Sequence, residues 1–395
     1  METGLFFLAS VEMEDPGPGP PAPTDRRYGQ DAVWHALERL MDMGVRAEHL
    51  GYDTFWLTEH HFQHEGYEVL PNAILFGAIL AERTSRIRIG ALFNIVPQWH
   101  PLRLAEDFAL FHNFSGGRAI LGVGRGTVPR EAQSLGTVVG SWDNPDRAEA
   151  DQINREVMDE AMAIIELALT RETFSFEGKH FRLPPPGIPD RGGTVQTLTL
   201  VPRTRYPFEI WQAIMSPPTL ETVPRKGYHG VFWLQNWQFI KRSWDRSAEI
   251  HDQTFGGTLE PGAKRMLVLN VHVDDTHERA WRTARPGHDE FWKFLGPYGW
   301  SKGYMGPDGK PAPAGLIPSL EESVEQKVWV VGSPEEVAEG VQFFRDTLSL
   351  RHLTIVPMFP GDTYDQAEEQ MTRFAEEVLP LLGLAPAEPA GRRPR

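Results

Sequence analysis

Three blocks of the sequence end in residues able to do chemistry or hold an anion. GYDTFWLTEHHF closes on Glu59, His60 and His61; SRIRIGALFNIVPQWHP carries Phe93 and Asn94; GGRAILGVGRG ends in Arg125 and Gly126, with Thr127 next. A histidine beside a carboxylate titrates near neutral pH and can serve as a general base, a metal ligand or a capping group. Those three roles stay open for His60, with His64 a helical turn further on if the segment coils. Zinc or iron on EHHFQHE is disfavoured, since adjacent histidines at a strand end point in different directions. Arg125 supplies a permanently charged planar fork suited to a phosphate dianion, and the glycines around it let the backbone approach a ligand. Ser216-Pro217-Pro218-Thr219 reads as a helix start whose free amides and serine hydroxyl can hold an anion. Two anion-holding devices predict one phosphate between them, which suits a mononucleotide cofactor. Plainer roles exist for both: a tight turn for the glycines and an ordinary cap for Ser216.

The elements that must position these residues alternate between periods of two and 3.6 residues. Strands are expected at residues 5–10, 54–58, 86–96, 118–123, 208–213, 230–234, 266–273 and 353–358. Helices are expected at 31–50, 72–83, 101–114, 152–169, 218–226, 240–254, 278–295, from the Ser333 cap to 348, and at 366–382. Ser333-Pro334-Glu335-Glu336 combines a serine cap, proline in the first turn and glutamate three positions after the cap. Eight strand–helix units predict an α/β fold of the (β/α)8 TIM-barrel type, with an open doubly wound sheet as the alternative. One barrel over residues 1–382 is expected, with loop insertions near 173–207 and 296–325 and a disordered tail at 383–395. FSFEGKHFRL reads as a hairpin turning at Glu177 and Gly178. In such a barrel the site lies where the strands end. Phe62, Trp99, Trp142, Trp211, Trp233, Trp237 and Trp300 are candidates to line an apolar pocket there, whereas His272, inside a strand pattern, reads as structural.

Composition narrows the chemistry. The 395 residues carry 39 basic and 54 acidic side chains, a net charge of -15, and no basic run in the body of the chain. Nucleic acid is not an expected partner. There is no cysteine, so thiol nucleophiles, disulfides and thiolate metal sites are excluded, and redox chemistry requires a bound cofactor. The apolar run at residues 5–9 is short and followed by acidic residues, and no stretch approaches a membrane span, so a cytoplasmic protein is expected.

TEHHF, the run from TSRIRIG to HPLRLAED, and SGGRAILGVGRG resemble the bacterial luciferase-like flavin-dependent monooxygenases. VGSPEEV and FAEEVLPLL extend the resemblance over nearly all of residues 1–382, and the region from GWSKGYMGPDGK to the Ser333 cap resembles the limonene-monooxygenase-like branch. The resemblance implies a TIM barrel that takes reduced FMN from a separate NAD(P)H-flavin reductase. It implies that O2 is activated as a C4a-peroxyflavin, that a hydrophobic small molecule is oxygenated, and that the chain is a homodimer. It places the flavin phosphate on Arg125, Ser216 and Thr219, and the acid/base histidine on His60 with Glu59 and His61 beside it. A non-proline cis peptide is implied at Leu92-Phe93, next to Asn94, under the flavin ring. Met215 stands where the luciferase has a glutamate before its phosphate-binding serine, which removes that side-chain contact. Loops 12–30 and 296–325 are expected to close the pocket against water. The competing expectations are a 5-deazaflavin-dependent oxidoreductase, a non-catalytic flavin-binding relative and a metal-dependent hydrolase.

Overall fold

A computed structural model describes residues 1–17, 19, 25–140 and 146–384. Eight parallel strands form the barrel: Glu2–Phe7, Thr54–Leu57, Arg88–Ala91, Ala119–Gly124, Ile210–Ala213, His229–Phe232, Arg265–Val273 and His352–Val356. It closes where the first strand pairs with the eighth, Glu2 beside His352, and where the fifth pairs with the fourth, Ile210 beside Leu121. Helices cover the outside and side chains fill the inside, so the strands are apolar on both faces. Each strand is followed by a helix, as the alternating periods predict. The closed TIM barrel replaces the open-sheet alternative.

The N-terminal end of the barrel is plugged. Arg88 pairs with Glu209 and His352 with Glu2, while the Trp211 ring packs against His229 and His352. The opposite end carries the loops.

The first strand runs Glu2–Phe7 and not 5–10, and two further features depart from the expected strands. The run 86–96 is not one strand: it breaks after Ala91 at a cis Leu92-Phe93 peptide and resumes as Asn94–Ile95, which pairs with Val123 and Gly124. The apolar alternation continues across that break, so the pattern carries no sign of it. Trp329–Gly332 forms a further parallel strand that sequence periodicity missed. It pairs with Asn270–Val273, the upper part of the long seventh strand. The hairpin at 176–183 turns over residues 178–181 instead of at Glu177 and Gly178, because Glu177 itself pairs with Arg182. A second small hairpin, Pro189–Asp190 with Gly193–Thr194, lies in the same insertion.

The insertion after the seventh helix, His277–Leu295, is tied down rather than loose. The Tyr304 hydroxyl and His288 Nε2 each lie 2.9 Å from Ser323 Oγ, and all three residues are buried. Gln326 Oε1 accepts from Met305 N at 2.7 Å and from Asn236 Nδ2 at 3.1 Å. The result is a fixed wall across the open end of the barrel. The expected tail at 383–395 lies outside the described residues beyond Leu384. No helix among the described residues is long and apolar enough to cross a membrane.

Candidate active site

A cavity of about 520 Å³ opens at the carboxyl ends of the barrel strands. Residues from seven of the eight strands or the loops after them reach it, and the 296–325 insertion supplies one side through Tyr298, Trp300 and Lys302. Each end of the cavity has its own chemistry.

At one end lie Arg125, Gly126, Thr127, Ser216 and Thr219. The Arg125 guanidinium is aimed by the helix Arg147–Thr170: Nη1 donates to Asp151 Oδ1 at 2.9 Å and to Asn154 Oδ1 at 3.1 Å. Ser216 caps the helix Pro217–Arg225 in a capping box, and the Thr219 hydroxyl accepts from the amides of Met215 and Ser216 at 3.3 and 3.2 Å. The free amides expected at this helix start are not there, because Pro217 and Pro218 lack an N–H and the amides of Met215 and Ser216 go to Thr219; the cavity is lined instead by an oriented cation, the Ser216 and Thr219 hydroxyls and the positive pole of a short helix. Lys302 joins them from the insertion, with a pKa lowered by burial and by nearby Arg147. Its position in a loop gave the sequence no periodic signal.

Packing of the chain on itself already requires the glycines before Arg125, and Gly124 also lines the cavity. A methyl group on Gly122 would stand 1.7 Å from the Ala91 carbonyl oxygen, and one on Gly124 would stand 2.9 Å from Phe93 Cβ. They make room for the chain's own cis turn. Leu92 and Phe93 then line the cavity floor.

The other end is built around His60. Its amide donates to Leu70 O at 3.0 Å, closing a loop that Val69 N and Val11 N tie to Ala9 and Gly66. The closed loop brings Glu68 back against the His60 ring, with Oε2 2.8 Å from Nε2. Nδ1 lies 2.9 Å from Glu131 Oε1, and Glu131 sits on the short helix Pro129–Ser134 after the fourth strand. Burial alone would lower the His60 pKa, but the charges of Glu68 and Glu131 and the hydrogen bonds to them hold it well above its ordinary value. Burial leaves Glu68 raised despite His60, whereas for Glu131 the imidazolium and a hydrogen bond from Gln63 overcome burial and lower it. Sequence reasoning singled out neither glutamate. Glu131 follows Arg125 by six residues, and that proximity to a strand end was the one available signal.

Three expected site residues stand outside the cavity wall. Glu59 is buried and accepts from Trp99 Nε1 at 2.8 Å, bracing the segment after the cis peptide instead of facing a ligand. His61 turns toward Glu59 at 3.5 Å, away from His60's partners. Asn94 donates to Gly122 O at 2.8 Å, a bond within the barrel wall. Among the described residues no group of three or more His, Asp or Glu side chains is arranged to hold a metal ion. Of the expected aromatics, Trp233 and Trp300 line the cavity. Trp211 belongs to the plug, Trp237 packs on Phe343, Phe62 is exposed, Trp99 bonds Glu59, and Trp142 lies outside the described residues. Phe6, Phe291 and Phe294 complete the apolar wall. His272 is enclosed, with Nε2 2.8 Å from Thr283 Oγ1.

Barrel, cis peptide and cavity define a TIM-barrel protein whose strand ends enclose a pocket with apolar walls and the Arg125 and Lys302 cations. The match to family models is specific: the chain belongs to the luciferase-like monooxygenase family, which covers residues 1–376. It is 26% identical over 369 residues to an F420-dependent glucose-6-phosphate dehydrogenase of Amycolatopsis mediterranei, covering 90% of this chain and 97% of that one. It is 26% identical over 354 residues to the 4-hydroxyprotoasukamycin monooxygenase of Streptomyces nodosus subsp. asukaensis, covering 87% and 86%. The fold superposes on the oxygenating constituent of 3,6-diketocamphane monooxygenase from Pseudomonas putida, solved in complex with FMN. The TM-score is 0.72, with 21% identity over 96% of this chain and 98% of that one. Both FMN and F420 thus occur among similar proteins.

Proposed function

We propose that this chain is a two-component monooxygenase that uses reduced FMN and O2 to oxygenate a hydrophobic small molecule. The observation that carries this reading is the shared cavity: Arg125 and the Ser216 cap at one end, cis Leu92-Phe93 on the floor, and aromatic walls over the rest. A flavin phosphate fits the first end by charge and by helix polarity. When bound, reduced flavin supplies the electrons that activate O2. The chain's own residues do the remaining work. Arg125, Ser216 and Thr219 hold the phosphate, Leu92 and Phe93 support the ring, and Phe6, Trp233, Phe291 and Trp300 exclude water and accept the apolar substrate. The cluster of His60, Glu68 and Glu131 manages protons at the far end. Reduced FMN comes from a separate NAD(P)H-flavin reductase.

A homodimer is part of the same proposal. Leu75 and Ile79 on the second helix, Ala73–Arg83, and Leu110 and Phe114 on the third, Pro101–Phe114, are exposed; Phe114 is 77% exposed. These helices pack together, so the four side chains form an apolar surface suited to a second copy.

One competing reading has specific support. Relatives named for F420-dependent dehydrogenation match 90% of this chain, so a 5-deazaflavin could occupy the same phosphate end. Anaerobic titration with reduced FMN, followed by rapid mixing with oxygenated buffer, separates the two. A long-lived flavin absorbance, distinct from the reduced and oxidised forms, is expected. No binding of reduced FMN, with tight binding of F420 and oxygen-independent reduction of it, overturns the monooxygenase reading.

A further inference from the structure

The His60 ring has no nitrogen left for a ligand. Nδ1 is hydrogen-bonded to Glu131 at 2.9 Å and Nε2 stands 2.8 Å from Glu68 in an ion-pair contact without hydrogen-bond alignment, so each ring nitrogen has a carboxylate against it. Any proton passing between the cavity and His60 must therefore enter or leave through one of the two glutamates. Both line the cavity, but they differ in how fully they are satisfied. Glu131 Oε1 accepts from His60 and also from Gln63 Nε2 at 2.7 Å, and Gln63 is itself held through Oε1 by Arg130. Glu68 has the contact with His60 and no other polar partner among the described residues, and its buried Oε2 has no well-aligned hydrogen bond. A carboxylate saturated by donors stays ionised, whereas a buried one with a single donor is free to exchange a proton.

We propose that Glu68 is the group through which the site exchanges protons with its ligand, with His60 as the relay behind it and Glu131 as the fixed counter-charge. This rests on the functional reading above and reassigns the acid/base role that resemblance places on His60. The step balances simply. Glu68 takes a proton from an O–H or N–H of the bound molecule, the bonding pair stays on that oxygen or nitrogen, and the cluster passes from one net negative charge to none. The reverse step returns the proton. The contacts of 2.9 and 2.8 Å that Glu131 and Glu68 make with the two ring nitrogens join the three groups.

Other charged and titratable groups face the cluster. Arg130 is engaged by Glu65 Oε1 and Oε2 at 2.7 and 2.8 Å. Tyr298 projects from the insertion, with its pKa pushed up to about 12 chiefly by burial, and so stays protonated. Tyr67 donates to Glu290 Oε1 at 2.9 Å and is not available to the ring. Glu68 is the group among them with an unmet hydrogen-bonding need and a place on the cavity wall.

The test uses the full chain and variants Glu68→Gln, Glu68→Asp and Glu131→Gln. Infrared difference spectra across a pH titration need no cofactor. A carboxylic-acid band that titrates above the ordinary glutamate range is expected in the wild type, absent from Glu68→Gln and retained in Glu68→Asp. Imidazole NMR of the Gln variant should show proton affinity of His60 reduced by about tenfold or more, the loss of one adjacent negative charge. The second readout is the pH dependence of flavin reoxidation after reduced FMN is bound and mixed with O2. Glu68→Gln should remove the limb that Glu68→Asp restores. If the infrared band survives in Glu68→Gln and vanishes in Glu131→Gln, or if the pH limb is unchanged in Glu68→Gln, the assignment is overturned. Failure to bind reduced FMN would count against the flavin reading alone, since the infrared and NMR arms still decide the role of Glu68.

Discussion

Replacing Arg125 with methionine tests the phosphate end directly. In the structure Nη1 is taken by Asp151 and Asn154, so the proposed phosphate would meet the remaining edge of the guanidinium. One charge-assisted hydrogen bond is worth about 1.5–3 kcal/mol, and partial neutralisation by Asp151 favours the lower part of that range. About 2 kcal/mol corresponds to roughly 30-fold weaker binding of reduced FMN. Asp151 keeps Arg155 as a partner in the variant, so the fold should persist and its melting temperature should stay close to that of the wild type. The assay is anaerobic fluorescence titration with reduced FMN and, in parallel, with reduced riboflavin, which lacks the phosphate. Riboflavin affinity should change less than about twofold, because the proposed ring site against Leu92, Phe93 and the aromatic wall is left intact. Equal weakening of both ligands would mean that Arg125 shapes the cavity without meeting a phosphate. No weakening of either would remove the phosphate from this end altogether.

Three other outcomes follow from named contacts. Burial lowers the pKa of His272 to about 4, below the ordinary histidine value, so its contribution to stability is complete above pH about 6.5 and is lost as pH falls toward 4. That loss approaches about 3 kcal/mol, and urea unfolding of His272→Gln at pH 7 and pH 4.5 should show a smaller pH slope than the wild type. Gly122→Ala should cost about 3 kcal/mol or more, because the new methyl meets the Ala91 backbone oxygen. Gly136→Ala, with φ +81° and open space around it, should cost only about 1 kcal/mol by thermal melting. Light scattering of the wild type should give the mass of a dimer, and Leu75→Glu with Phe114→Glu should give the monomer with an intact circular-dichroism spectrum.

The alternation of strand and helix, the cap at Ser333 and most strand positions were legible in the sequence, because they are local, whereas the first and third strands stop at Phe7 and Ala91, short of where the pattern carried them. Period, capping chemistry and glycine placement act within a few residues, and they determined the barrel and the neighbourhood of His60, Arg125 and Ser216. The strand at Trp329–Gly332 escaped because a four-residue apolar run has no period of its own and is stabilised by pairing with residues some sixty positions earlier. The same limit governed the site. Nothing local distinguishes Glu59, which braces Trp99, from Glu68, which returns to His60 only after its loop closes on Leu70. Glu131 reaches His60 across 71 residues of chain. Lys302 and Tyr298 enter the cavity because Tyr304 and Ser323 pin the insertion to His288. Sequence by itself determined which strand ends could carry chemistry; tertiary packing decided which side chains face the cavity, since that depends on where distant loops are tied.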